Sequence, residues 1–182
     1  MDNKEMTEKI ILSFLMHTPS LLFDDKYPIK AKDFSKKVYK QMYSAMLNLY
    51  ARGNTDIQPQ EVIMQIGKSA SAFKEFQEAR GEGLLNEINN LNYNAYDYDI
   101  QYSNLKKYSL FQDLRDSGIE ISDLYNPLAE PDKAMAMADK IDNMSYKEII
   151  DHYREKIAKI EDRYENFIEK SGIEAGEGLD DL

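Results

Sequence analysis

The sequence of 182 residues contains no cysteine, no tryptophan and only two histidines. Without cysteine the chain forms no disulfide and offers no thiolate to a metal ion, which fits a reducing cytoplasm. Its longest apolar run, at positions 10–16, contains Ser13 and is too short to span a bilayer. We therefore expect a cytoplasmic protein with no membrane segment.

Positive charge is also in short supply. The chain has 33 acidic and 23 basic residues, a formal net charge of -10 and a pI near 4.8. Such a surface repels phosphate, which disfavours general electrostatic attraction to nucleic acid or to an anionic membrane. Any contact with DNA in this part of the protein would have to be local.

The residue patterns of common catalytic sites are missing as well. No glycine-rich phosphate loop with its lysine occurs. His17 and His152 are far apart and have no serine or carboxylate pattern near them, and the adjacent acids at 24–25 and 180–181 have no calcium-loop spacing. We predict no catalytic, cofactor or metal site in this chain, and consider a carboxylate enzyme on a helical scaffold the least favoured class.

Apolar residues recur at three- and four-residue steps, and no run shows the alternation of a strand. The sequence therefore predicts an all-α fold. The first predicted helices are Glu5–Met16 with a short turn through Phe23, Asp33–Ala51, Pro59–Ile66, Ala72–Arg80 and Leu84–Leu91.

A long helix is predicted over Asn92–Ser117 and another over Asp132–Met144, while Ile119–Tyr125 fits either a helical continuation or a loop. The first of these segments is rich in tyrosine. Tyrosines stack on single-stranded bases when basic residues lie between them, but Asp97 and Asp99 are interleaved here. Packing inside the protein or at a subunit interface is the favoured interpretation of these rings.

The last predicted helix, Tyr146–Lys170, begins with a capping-box pattern of Ser145 and Glu148. It carries a narrow heptad stripe on an otherwise polar surface. The stripe either packs on this chain's own core or docks on another subunit, and we favour docking. Its members are Ile150, Tyr153, Ile157, Ile160, Tyr164 and Phe167.

Three stretches of the sequence, taken in their order along the chain, match the pattern of a known family. The first is E-x-x-x-L-x-x-L from Glu8, followed by T-P-S-L-L at 18–22. The second combines the acidic-Phe pair at 33–34 with Y-K-Q-M-Y at 39–43 and the turn at 51–57. The third is G-I-E-A-G-E-G-L-D at 172–180. Together they resemble the N-terminal domain of DnaB-type replicative DNA helicases, in the style of a phage or low-GC bacterial member.

The resemblance implies a small globular helical head (1–91), a helical hairpin (92–144), a long linker helix (145–171) and the start of a connection to a RecA-type ATPase domain (172–182). In the family, heads pair through the hairpins and the linker docks on the neighbouring motor. The hairpin interface implied here consists of Tyr93, Tyr96, Ile100, Phe111 and Leu114.

The function implied is an assembly and partner-recruitment module of a hexameric helicase that unwinds duplex DNA at the replication fork. This segment would not be an enzyme itself; the full-length protein would be an ATP-dependent DNA helicase, with ATP, Mg and most of the single-stranded DNA bound by the missing ATPase domain. The implied partners are other copies of the chain, primase and a helicase loader. Because Tyr39 and Lys40 stand where the family has His-Arg, no primase-contact residue is carried over.

A different class remains open. A self-contained helical adaptor, such as a helicase loader or a replication-initiation protein, would use the last helix for its own coiled coil. The adaptor requires a natural stop codon at or soon after Leu182, whereas the helicase requires an open frame with a phosphate-loop lysine. The glycines and the docking-type apolar residues of the last segment favour the longer protein.

Overall fold

The computed structural model describes residues 3–126 and 128–171, with side chains up to residue 159. Helices, turns and extended connections make up the described part, which contains no β-strand, so the all-α prediction is confirmed. The α-helices are α1 (Asn3–His17), α2 (Lys37–Ala51), α3 (Pro59–Ile66), α4 (Ala70–Glu78), α5 (Gly81–Asn89), α6 (Tyr98–Asp116), α7 (Pro131–Asn143) and α8 (Tyr146–Ser171).

Short 3₁₀ helices at Pro19–Phe23, Ala31–Asp33 and Tyr93–Ala95 connect several of the longer elements. The first of these begins with a proline, whose fixed φ and missing N–H suit the start of a helix. None of the described helices combines the length and the apolar character needed to cross a membrane.

Helix α1 is the centre of the head, a name used below for helices α1–α5. It contacts α2, α5 and α6, and every residue from Thr7 to Ser13 is buried. A helix buried on all sides must place its polar residues in the interior, where each needs a partner. The apolar core of the head gathers around it and contains Leu12, Phe34, Met42 and Phe76 among its members.

Buried charges on α1 are satisfied by its neighbours. The Glu8 carboxylate accepts hydrogen bonds from the Ser35 backbone N–H at 2.8 Å and from the Ser35 hydroxyl at 2.9 Å. Burial raises the pKa of Glu8, although both bonds from Ser35 oppose that shift. Lys9, also buried, donates to Glu87 of α5 at 2.7 Å. These bonds fix α1 to the segment before α2 and to α5.

Two predicted helix starts differ from the structure by four residues or more. The segment predicted as helical from Asp33 instead forms a 3₁₀ turn and an extended link, and α2 begins at Lys37. The Ser35 N–H binds Glu8, and Phe34 has an extended backbone with φ -92° and ψ 141°. Tertiary contacts with α1 therefore override the helical periodicity at this point.

The helix predicted from Asn92 begins only at Tyr98. Tyr93–Ala95 form a 3₁₀ turn, Tyr96 is extended, and the Asp97 side chain accepts from the Ile100 N–H at 3.0 Å as an N-cap. Asp at this position satisfies a backbone N–H that the helix itself leaves unpaired. The apolar spacing alone did not distinguish the 3₁₀ turn from the helix.

After α6 the chain turns and does not continue as a helix. Ile121 and Leu124 are buried, and the Tyr125 N–H donates to the Ile121 carbonyl at 2.8 Å. The loop alternative for Ile119–Tyr125 is therefore the observed one. The buried Lys107 ammonium donates to the Ile141 carbonyl at 3.0 Å, which ties α6 to the C-terminal end of α7.

The chain divides into two units, with the division between Ile141 and Asp142. The second unit contains α8, whose predicted cap is confirmed: the Ser145 N–H donates to Glu148 at 2.7 Å and the Glu148 N–H donates to the Ser145 hydroxyl at 3.2 Å. The domain boundaries expected after residues 91, 144 and 171 stay predictions.

Candidate interaction surfaces

Both histidines contact other residues of the fold and lie at no catalytic arrangement of side chains among the described residues. The His17 Nε2 atom lies 3.0 Å from the Asn89 carbonyl oxygen, and the His17 ring stacks on Tyr93 with centroids 4.7 Å apart. His152 meets the ring of Tyr153 edge-on at 5.1 Å. Across the described residues, no group of three or more His, Cys, Asp or Glu side chains is placed to hold a metal ion.

The tyrosines at the start of α6 pack on the head. Tyr93 and Tyr98 both contact Phe14 edge-on, with centroids 5.1 and 5.0 Å apart, and Tyr27 contacts Tyr98 at 4.9 Å. Burial raises the pKa of the Tyr98 hydroxyl, and the Tyr27 hydroxyl donates to Asp99. Rings packed edge-to-face in this way stabilise the fold, and the acidic side chains beside them disfavour binding of a nucleic-acid backbone.

The residues of the predicted hairpin interface lie in different environments. Phe111 is fully buried and stacks on Tyr125 with centroids 5.4 Å apart, so within this chain it already has an apolar neighbour. Ile100 is 58% exposed and is the member of the set most available to another molecule. The half-buried members are Tyr93, Tyr96 and Leu114.

The predicted stripe of α8 changes character along the helix. Tyr153 is buried and Ile150 is half-buried, whereas Ile157 is 42% exposed. Ile149, which lies beside the stripe, is buried. The side chains of Ile160, Tyr164 and Phe167 lie outside the described residues. Among the described side chains of the stripe, Ile157 is therefore the exposed one, and a single exposed apolar side chain is ordinary for a protein surface.

A feature missed by the sequence reasoning is a cavity of about 370 Å³ beside α7. Its lining includes Tyr108 and Tyr125, whose rings are 5.7 Å apart. Met135 and Met137 of α7 also line it, and Met135 is 64% exposed. No short pattern along the sequence indicated it, because its lining combines Asn3, Tyr108 and the 125–141 segment.

One comparison with known proteins identifies a family for this chain. The sequence model of the DnaB-like helicase N-terminal domain matches residues 1–98. The chain is also similar to the SPbeta prophage-derived uncharacterized protein YorI of Bacillus subtilis (strain 168), with 27% identity over 174 residues that cover 94% of this chain and 34% of that protein. The chain therefore spans about a third of the length of this relative. No solved structure matches the chain.

Proposed function

The chain belongs to the DnaB-like helicase N-terminal domain family, and from that membership we propose that it is the assembly and partner-recruitment module of a hexameric replicative DNA helicase. In this proposal the helicase unwinds duplex DNA at the replication fork, in a bacterial cytoplasm or in a phage-infected cell. The family match over residues 1–98 is the observation that carries the proposal. Similarity to a prophage-derived protein supports the phage-like setting.

In this proposal, ATP is hydrolysed by a separate ATPase domain of the longer protein. The relative is about three times as long as the matched region, a length that would accommodate an ATPase domain. ATP, Mg and most of the single-stranded DNA would bind there, and the net charge of -10 on the present chain agrees with that division. Reading the native gene beyond the codon for Leu182 tests this step: an open frame with a phosphate-loop lysine supports the helicase, and an immediate stop codon supports the adaptor.

We assign the exposed part of α8 to docking on a neighbouring motor subunit. Ile157 is 42% exposed and has Glu155 and Lys159 among its polar neighbours along the helix. Burial of a large apolar side chain contributes about 1.5–3 kcal/mol. Three such residues on one stripe are therefore enough to shift the assembly equilibrium by several orders of magnitude.

The test replaces Ile157, Ile160 and Tyr164 by alanine in the intact protein and measures its mass by light scattering across a concentration series. We expect the hexamer to dissociate at concentrations at which the parent protein stays assembled. The matched control is Glu155→Ala, an exposed change on the same helix that leaves the stripe intact. Circular dichroism of each variant checks that the helices persist. Unchanged hexamerisation of the triple variant contradicts the docking role.

In this proposal, two copies of the chain associate through the surface around Ile100. That side chain is 58% exposed on the first turn of α6. Ile100→Glu would place a charge in such an interface and weaken pairing of the isolated 182-residue chain, while Asp97, the cap of α6, is left in place.

Primase and a loader remain the proposed partners of the assembled ring, and co-purification of each with the intact protein is the direct measurement.

A further inference from the structure

We draw no further inference here: the strongest candidate, the cavity of about 370 Å³ beside α7 that Tyr108, Tyr125, Met135 and Met137 help to line, carries none, because nothing in the structure shows what covers it.

Discussion

The head and the segment that follows α6 differ in how many of their apolar side chains belong to the buried core. The members of the apolar core cluster lie between Ile11 and Leu105, most of them on α1, α2 and α3. After residue 117, several large apolar side chains of the described part are exposed, and Leu128 reaches 93%. Burial of apolar surface is the main driving force of folding, and the core cluster concentrates that burial in the head, although Phe23 and Met64, which precede α6, are exposed as well. The two regions therefore differ in the extent of their shared core.

The hydrogen bonds and ion pairs of polar side chains also differ between the head and α8. In the head, buried Glu8, Lys9 and Asp33 all have partners on other elements, and Asp33 accepts from Lys106 at 2.7 Å and from the Ser109 hydroxyl at 2.6 Å. Along α8, the described ion pair of Arg154 with Asp151 at 3.0 Å is exposed and stays within one helix. Long-range buried bonds specify one arrangement, while a local surface pair contributes little.

The largest effect we expect is in the centre of the head. Leu12 is fully buried on α1, so Leu12→Ala should lower the free energy of unfolding by about 2–5 kcal/mol through lost burial and the cavity left behind. Urea denaturation followed by circular dichroism measures the change. The control is Met64→Ala, an exposed position on α3, for which we expect less than about 0.5 kcal/mol. Equal losses would remove the distinction between core and surface.

The next effect concerns the approach of α5 to α4. A Cβ atom added at Gly81 would lie 2.4 Å from ring carbons of Phe76, which is fully buried. Gly81→Ala should therefore destabilise the head by about 1–3 kcal/mol. Gly83→Ala is the matched change on the same helix, where a Cβ meets nothing within 4 Å, and it should be neutral or slightly stabilising. Destabilisation by both variants would point to the helix itself and not to the contact with Phe76.

A smaller effect should appear as a dependence on pH. Burial raises the pKa of Glu8 above its ordinary value of 4.5, so the folded state holds a proton that the unfolded state has lost. The contribution of Glu8 to stability is present below pH 4.5 and is lost as the pH rises through the raised pKa. Glu8→Gln keeps the shape, with Oε1 accepting from the Ser35 N–H and Nε2 donating to its hydroxyl, and should flatten this part of the profile.

The measurement is thermal unfolding at a series of pH values from about 4 to 8, compared between the parent, Glu8→Gln and the exposed control Glu82→Gln. Glu5 acts in the opposite direction, because the hydrogen bond from Lys36 lowers its pKa and its contribution is lost only as the pH falls below 4.5. The two groups therefore act in separate windows. A parent profile that the Glu8 change leaves as steep as before would contradict the assignment.

The smallest effect tests the later segment. Met135 is 64% exposed, so Met135→Gln should change the free energy of unfolding by less than about 0.5 kcal/mol. A loss above about 1 kcal/mol would mean that this methionine stabilises the fold as a head residue does. The comparison between the two regions would then fail at Met135.

The sequence predicted best the elements whose signals are local. Helix α3 begins at Pro59 and ends at Ile66 as expected, because a proline start and a glycine stop define it within eight residues. The cap of α8 at Ser145 follows the same logic. The starts of α2 and α6 were wrong, because periodicity does not report that Ser35 is bound by Glu8 or that Asp97 caps Ile100.

Interaction surfaces were harder to predict than helices. The stripe on α8 and the resemblance to a helicase family came from patterns written along the chain, and the family is confirmed by the match over residues 1–98. The interface residues themselves stay predictions. Phe111 illustrates the difficulty, since a spacing that fits an interface residue equally fits one that stacks on Tyr125 inside the chain.

The sequence by itself determined the helical class and the polar, cysteine-free character of the chain, because composition and short-range periodicity are properties of neighbouring residues. The family was identified by the resemblance of its motifs and by the match over residues 1–98. Tertiary structure alone decided that charged α1 lies at the centre of the head, since its Glu8 and Lys9 find their partners at Ser35 and Glu87. It also decided where the cavity beside α7 opens. Residues distant in sequence form both features, and only their meeting in space sets which side chains are buried and which remain to bind another protein.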